Sequence, residues 1–567
     1  MLKNNLKLLL KSPHISIPLL ILLLSTVGIN LYAMSSYFMN SDIFAYAEKS
    51  LWLCIIGFII NFYASYEFFY QIRFSDTEET IQSYHNVKNK SDMVSLLLLA
   101  VFPFVQFVIS LFFNCVLFST SGMTNDSYMV HITLVYFLYI FLGGVTAVIF
   151  GALTARKIKR IVAYTIFALV LFLMSGISAF IFEGPSLSSS INFWQIKYFF
   201  AYLLPNNLNT IPYDDYGFPC ELYRWNLSLF WVLFLLMLLI FTFRLTKKKL
   251  KIISVCLCAA AAAVNLTGYL MGGSHIEAGS GIDSIFLSDY VYYKNNKTEV
   301  KQQSADFKIT KYEMLLNISR QLDAEVTMSL SDHQKGTYLF TLYHQYAVSN
   351  VTDESGNPLK YSRSGDYIDI KPDSSISKIK IKYSGYSSVF YSSSQGTALP
   401  GNFPFYPMAG YYDLKAKFGE YNHIFAPKTE YSVTVNAPQK IYSNLKETGD
   451  HTFYGKTNCP VFAGGLYEET DSDEYHICNI SSEILLSEEI TPEFLDDVQK
   501  KIDQLDKNSG IHLKDYYWLK MSLTFCNQAF GNNVLYSEDG IMLSSVDSPE
   551  ETAKSIIEQK KIYDNAQ

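Results

Sequence analysis

Seven runs of about 20 or more mostly apolar residues occupy the first half of the chain, at roughly 15–34, 51–70, 93–119, 130–152, 161–182, 226–245 and 252–272. A run of that length, wound as a helix, matches the hydrocarbon thickness of a bilayer, and few soluble folds can bury so many of them. The sequence therefore predicts a polytopic α-helical membrane domain of about seven transmembrane helices. The first run follows Lys3, Lys7 and Lys11, as a signal peptide would, but it is too long for a signal core and six more follow it. A retained first helix is expected.

The positions of Lys and Arg orient the chain. With the N-terminus cytoplasmic, the interior segments are 1–14, 71–92, 153–160 and 244–251. They carry Lys3, Lys7, Lys11, Arg73, Lys88, Lys90, Arg156, Lys157, Lys159, Arg160, Arg244, Lys247, Lys248, Lys249 and Lys251. The exterior loops 35–50, 120–129 and 183–225 hold only Lys49, Lys197 and Arg224. That asymmetry places everything after residue 272 outside the cytoplasm. The expected location is the cell membrane, multi-pass, with contacts to membrane lipid. The net charge of −7 averages two unlike halves, and no basic cluster with interleaved aromatics lies outside the juxtamembrane loops, so no nucleic acid partner is expected.

Within the apolar windows the acidic side chain that stands out is Glu67, near the inner end of the second span, where a residue at the membrane boundary is the simpler reading. Ion-coupled transport is disfavoured on that ground, and energisation from outside the chain is favoured. The exterior loop 183–225 is aromatic, with Phe193, Trp194, Phe199, Phe200 and Tyr202 ahead of Pro205. It reads equally as a re-entrant segment or an interfacial belt.

Between the second and third spans, Thr77 to Tyr84 can form a short amphipathic helix. Ser75 or Asp76 would cap it, and Glu78 and Glu79 would lie in its first turn. An ordinary solvated loop is the competing reading. With the basic N-terminus, six spans, this acidic segment and the long loop before the sixth span, residues 1–251 resemble the ABC-2 type permeases of ABC transporters. The resemblance implies that the 71–92 loop, through Asp76, Glu78, Glu79, Ile81 and Tyr84, couples to a separate ABC ATPase subunit. It also implies pairing with a second permease subunit as a homo- or heterodimer. ATP would be used by the partner, with no cofactor in this chain. The nearest approach to a phosphate loop is Gly455-Lys456-Thr457, which has Asp450 where the motif needs Gly. The seventh span, 252–272, reads as a tether, followed by a linker over 273–305.

From about residue 306 the pattern changes to period-two alternation. Lys378 to Tyr383 puts Ile379, Ile381 and Tyr383 on one face and lysines on the other; Tyr367–Lys371 and Tyr431–Val435 alternate likewise. Gly356 and Gly365 supply turns. These short strands predict an extracytoplasmic β-sandwich-like domain over 306–485. Thr491-Pro492 then opens a helix with Leu495, Val498, Ile502 and Leu505 at helical spacing, beginning a small α/β C-terminal segment over 486–567.

The stretches Leu339–Tyr343, Val348–Val351, Ile379–Gly385, Leu399–Pro407 and Gly455–Gly464 give the 306–485 region a resemblance to the N-terminal β-domain of M1 zinc aminopeptidases. The segments 516–525 and 534–543 resemble the opening of the M1 catalytic domain. That family binds zinc through H-E-x-x-H. None of the ten histidines here starts that motif, and no two lie within five residues of each other. The G-x-M-E-N motif is missing too, with Gly531-Asn-Asn-Val534 near its expected place. The sequence thus predicts no metal site and no catalytic residue, and exterior histidines that are exposed polar groups. Binding or sensing of a peptide, lipid or envelope component is expected; the alternative is a membrane-anchored M1-like peptidase or an inactive homologue.

Of eight cysteines, Cys54, Cys115, Cys256 and Cys258 fall in apolar spans, and Cys459 with Cys478 is the one pair worth testing as a disulfide.

Overall fold

The computed structural model describes residues 2–40, 42–74, 87–174, 199–200, 203, 213–242, 248–271, 292–293, 302–319, 321–331, 336–387, 390–414, 421–470, 472–481, 489–507, 509–521, 531–546 and 548–566. The chain divides into a helical unit, residues 1–208 with 218–273, and a β-rich unit, residues 209–217 with 274–567.

The helical unit begins with α1 (Leu2–Lys11), α2 (Pro13–Asn40), α3 (Ile43–Ser50) and α4 (Leu53–Phe74). Next come α5 (Val87–Ser121) and α6 (Ser127–Tyr136), which runs through a π-helical turn (Phe137–Leu142) into α7 (Gly143–Ala155). It ends with α8 (Arg160–Met174), α9 (Leu222–Thr242) and α10 (Lys248–Met271). Asp42 caps α3 by accepting from the N–H groups of Phe44 at 2.8 Å and Ala45 at 3.1 Å.

Among the described residues, six helical stretches are long and apolar enough to cross a membrane: Pro13–Met39, Ile43–Arg73, Lys90–Ser121, Ser127–Ala155, Leu222–Thr242 and Lys248–Met271. The sequence predicts seven. The expected 161–182 span appears as α8, an apolar helix of 15 residues. The rest of that window, 175–182, lies outside the described residues, as do 183–198 and 204–212.

Glu67 is held by two partners across the helical unit. Its side chain is buried, with Oε2 accepting from Arg160 at 2.7 Å and Oε1 from the Tyr164 hydroxyl at 2.7 Å. Buried Asp92 pairs in the same way with Arg156. Removing one partner of such a pair strands the other in a poorly solvated place, which is why both stay paired.

In the β-rich unit the main sheet has seven strands, in the order Lys446–Gly449, Thr452–Thr457, Thr429–Asn436, Ile309–Ile318, Leu322–Leu330, Lys378–Gly385 and Ala347–Asp353. Period-two reading holds along it. Ile379, Ile381 and Tyr383 are buried, as are Tyr431, Val433 and Val435. The opposite face carries ion pairs: Glu325 sits between Lys380 at 2.5 Å and Lys382 at 2.6 Å. Those lysines hold its carboxyl below the usual carboxylate range. The sheet is not wholly antiparallel, because Ile309–Ile318 runs parallel to Thr429–Asn436. Their neighbourhood is made by a long crossover that alternation alone cannot reveal.

Two smaller sheets belong to the same β-rich part. One joins Lys360–Ser364, Tyr367–Lys371, Tyr338–Thr341 and Met408–Ala409; the other joins Ile441–Ser443, Phe462–Gly464 and Thr397–Leu399. Gly356 (φ +83°) and Gly365 (φ +62°) turn the chain where left-handed backbone is needed. The Gly455–Thr457 stretch lies in a strand paired to Thr429–Asn436, so its N–H groups belong to a sheet rather than to a phosphate cradle.

The last part is a mixed five-stranded sheet, ordered Tyr467–Thr470, His476–Ile480, Tyr517–Lys520, Gly540–Leu543 and Val534–Tyr536. Two helices pack on it, α11 (Pro492–Leu505) and α12 (Pro549–Ala566). Thr491 caps α11 by accepting from the Phe494 N–H at 3.1 Å, and Pro492 occupies the first turn, as the sequence predicts. Leu495, Val498 and Ile502 are buried with Trp518, whereas Leu505, in the last turn, is exposed.

The segment 209–217 precedes the rest of this unit by more than fifty residues in sequence, yet it belongs to the same core. Tyr216 is buried there, its ring 5.0 Å from that of Tyr391. The Asp215 carbonyl accepts from the Leu466 N–H at 2.6 Å, and Asp215 Oδ2 from the Tyr391 hydroxyl at 2.9 Å. Two glycines admit it. A Cβ at Gly396 would stand 2.5 Å from Tyr216 Cβ, and one at Gly465 2.3 Å from the Asp215 carbonyl oxygen.

Candidate functional site

A concave pocket of about 470 Å³ opens in the β-rich unit, between the legs of the 411–425 segment and helix α12. Its frame begins with Gln303, whose N–H donates to the Tyr411 carbonyl at 3.1 Å while its carbonyl accepts from the Tyr411 N–H at 2.8 Å. That bridge carries Gln302 to the rim. Tyr412 is fixed through its backbone: its N–H donates to Thr341 Oγ1 at 3.0 Å and its carbonyl accepts from the Tyr367 hydroxyl at 2.9 Å.

The two legs are then tied together. The Asn422 N–H donates to the Leu414 carbonyl at 2.9 Å, and Asn422 Nδ2 to the Asp413 carbonyl at 3.0 Å. Tyr421 wedges its ring against Phe390 and Phe403, with centroids 5.5 and 5.4 Å away. The Ile424 N–H donates to the Asn402 carbonyl at 3.1 Å. Phe425 meets Tyr563 of α12 edge-on at 5.5 Å, closing the far side. Helix α12 contributes Gln559 and Ile562 to the lining. Gly531 (φ +70°) turns the chain just before Asn532, which completes the wall.

The lining mixes three kinds of group. Tyr412, Tyr421, Ile424, Phe425 and Ile562 offer apolar surface; Gln302, Asn422, Asn532 and Gln559 are carboxamides; Asp413 and His423 are titratable. Each carboxamide can both donate and accept, which matches a ligand carrying amide groups of its own. Asp413 supplies a site for one positive charge. Burial pushes the His423 imidazole down to about 4, so at neutral pH it is uncharged, with one donor and one acceptor nitrogen.

The residues singled out in the sequence fall elsewhere. Asp76, Glu78, Glu79, Ile81 and Tyr84 of the 71–92 loop lie outside the described residues. The pairing of Cys459 with Cys478 is not made: both are free, buried thiols. Cys459 Sγ donates to Asn402 Oδ1 at 2.7 Å, whereas Cys478 is in a strand beside Tyr517, and burial raises both thiols above their ordinary range.

The expectation of exposed exterior histidines fails for three of them, His344, His423 and the half-buried His451, whose Nδ1 lies 3.2 Å from the Val435 carbonyl oxygen. His423 faces the pocket. The His344 side chain is buried, with Nδ1 3.1 Å from Asp366 Oδ1 and its ring stacked 3.6 Å from that of Tyr292. His476 and His512 are exposed. Among the described residues no three His, Cys, Asp or Glu side chains gather in a way that could hold a metal ion.

Of the pocket residues, only Asn532 lies in a stretch that drew notice in the sequence, Gly531–Val534. The others come from segments brought together by the fold. The nearest sequence signal was the dense run of aromatic residues over 402–425.

No protein-family model matches the sequence, and no curated protein does. Solved structures similar to it include yeast LTA4 hydrolase in complex with bestatin, at 9% identity and a TM-score of 0.29, over 44% of this chain and 42% of that one. The M1 zinc metallopeptidase from Deinococcus radiodurans matches at 9% identity and a TM-score of 0.31, over 45% and 63% of the two chains. A two-domain M1 zinc metallopeptidase bound to L-tryptophan matches at 10% identity and a TM-score of 0.33, over 45% and 64%. The chain thus spans between 42% and 64% of the length of these three structures. Likeness at this level does not by itself establish a shared fold.

Proposed function

We propose that the chain is a membrane-embedded permease subunit of an ABC transporter, and that its β-rich unit is a receptor on the exterior side that binds a peptide. The observation that carries the receptor role is the pocket, where carboxamides alternate with aromatic and aliphatic walls beside one carboxylate. Its volume falls in the range of small-ligand sites, roughly 300–1,000 Å³. A peptide end fits that lining in kind. Its amide groups meet Gln302, Asn422, Asn532 and Gln559, its apolar side chain meets Ile424, Phe425 and Ile562, and its α-ammonium meets Asp413.

The membrane role is supported by the six long apolar helices and by the concentration of Lys and Arg in alternate connecting segments. Energy would come from a separate ATPase engaging the 71–92 loop, and the permease would work as a dimer.

The test is equilibrium binding of a labelled tri- to pentapeptide mixture to the full-length protein in detergent. Saturable binding lost in Ile562→Arg and weakened in Asp413→Asn supports the reading. Binding that neither change affects would sink it. Cleavage of the peptides would instead place the β-rich unit among peptidases.

A further inference from the structure

The chain crosses between its two units near residues 208, 217 and 273. Two of these crossings are fastened inside the β-rich unit, each by a buried carboxylate and a tyrosine. Ahead of the 217 crossing, Asp215 is 0% exposed and Tyr216 3%. Asp215 Oδ2 accepts from the Tyr391 hydroxyl at 2.9 Å, and the Asp215 carbonyl accepts from the Leu466 N–H at 2.6 Å. After the 273 crossing, the Tyr293 hydroxyl donates to Asp366 Oδ2 at 3.0 Å, while Asp366 Oδ1 accepts from the His344 N–H at 2.6 Å. The Tyr292 ring lies flat on that of His344, 3.6 Å away. Withdrawing either segment breaks a hydrogen bond to a carboxylate and leaves a buried group without it, so undocking is costly.

On the helical side, only Gly217 (φ +80°) separates Tyr216 from residues packed into the helical unit. Phe218 is buried, its ring stacked 5.8 Å from that of Phe44 on α3. Arg224, in the first turn of α9, pairs with Glu221 at 2.7 Å, and its Nη1 donates at 3.2 Å to the hydroxyl of Tyr139 in the π-helical turn. The 273 crossing leaves from α10, whose end lies against the start of α9. A Cβ at Gly268 would stand 2.5 Å from Asn226 Nδ2, and the rings of Tyr223 and Tyr269 are 6.4 Å apart. Both fastened connections therefore arise from one end of one helix pair. Within the β-rich unit, Tyr391 follows Phe390, the ring on which Tyr421 of the pocket wall packs at 5.5 Å.

We propose that residues 213–217 and 292–293 are two straps of a mount that holds the β-rich unit to the α9–α10 pair, and that the first strap passes shifts at Tyr391 to the start of α9. The seventh span is then one of two attachments rather than a lone tether. The mount stands whether or not the pocket binds a peptide.

The test is made on the full-length chain in mild detergent, with an affinity tag at the N-terminus and a protease recognition sequence in place of residues 278–284. After cutting, the C-terminal fragment should stay on the resin with the helical unit. Tyr391→Phe removes only the hydroxyl that donates to Asp215, and it should release the fragment at least about tenfold faster, as should Asp215→Ala. Tyr293→Phe breaks a comparable bond on the fragment's own side of the cut and should leave release unchanged. Trp518, the one tryptophan of the fragment, reports by its fluorescence that the released piece is folded. In the uncut chain, amide hydrogen exchange over residues 218–226 should be faster in Tyr391→Phe than in wild type or Tyr293→Phe. Prompt loss of the wild-type fragment on cutting, equal release from Tyr391→Phe and Tyr293→Phe, or unchanged exchange over 218–226 would each overturn the proposal.

Discussion

Acidification should weaken the β-rich unit through His423, by an amount that follows from its burial. The imidazole titrates near 4 in the folded chain, against an ordinary value of about 6.5 once unfolded. Its folded pKa is depressed, so between those limits the unfolded chain takes up a proton that the folded one refuses. Stability is therefore full above pH ~6.5, falls as the pH drops toward ~4, and is flat below that. Between pH 7.5 and 4.5 this linkage is worth roughly 2 to 3 kcal/mol. For a unit of this size that is a fall in Tm of about 5 °C.

The assay is thermal unfolding followed by fluorescence of Trp518, which is fully buried beside α11 and α12. Wild type is compared with His423→Gln, which cannot titrate, so that contributions from other groups cancel in the difference. The gap between the two melting curves should change by about 5 °C across that range, to the disadvantage of the wild type. Curves that shift in parallel would refute a buried neutral imidazole at position 423.

Two other outcomes follow from the same account. Gly465→Ala forces a side chain at φ +137° into contact with the Asp215 carbonyl oxygen, 2.3 Å from the new Cβ. It should cost the β-rich unit roughly 2 to 5 kcal/mol and expose the 209–217 segment to protease, while Gly336→Ala, with nothing within 4 Å, should melt as wild type. Purification in mild detergent should bring down an ATP-binding subunit, and replacing Glu78, Glu79 and Tyr84 by Ala should lose it; unchanged co-purification would remove the 71–92 loop from the coupling role.

The parts of the fold legible in the sequence are those set by local periodicity. Apolar length marked the long helices, alternation marked Ile379–Tyr383 and Tyr431–Val435, and Thr491-Pro492 marked the start of α11 at the right residue. The limits are equally physical. The expected span 161–182 is described only over Arg160–Met174, an apolar helix, and its second half lies outside the described residues. The parallel pairing of Ile309–Ile318 with Thr429–Asn436, and the inclusion of Tyr216 in a distant core, are long-range contacts with no local signature. The pocket was hidden for the same reason, since Gln302, Asp413, His423, Asn532 and Gln559 meet only in the fold. Cys459 and Cys478 are the exterior pair worth testing from the sequence, yet one sits beside Asn402 and the other beside Tyr517.

The most direct test of a receptor held outside the cytoplasm by a multi-pass helical unit is labelling with a membrane-impermeant maleimide in intact cells. Asp450→Cys, on an exposed turn of the β-rich unit, and Lys159→Cys, exposed just before α8, are compared with Cys115 and Cys256 replaced by Ser. The account predicts that position 450 is labelled in intact cells and position 159 only after lysis. Labelling at 159 with protection at 450 would contradict it.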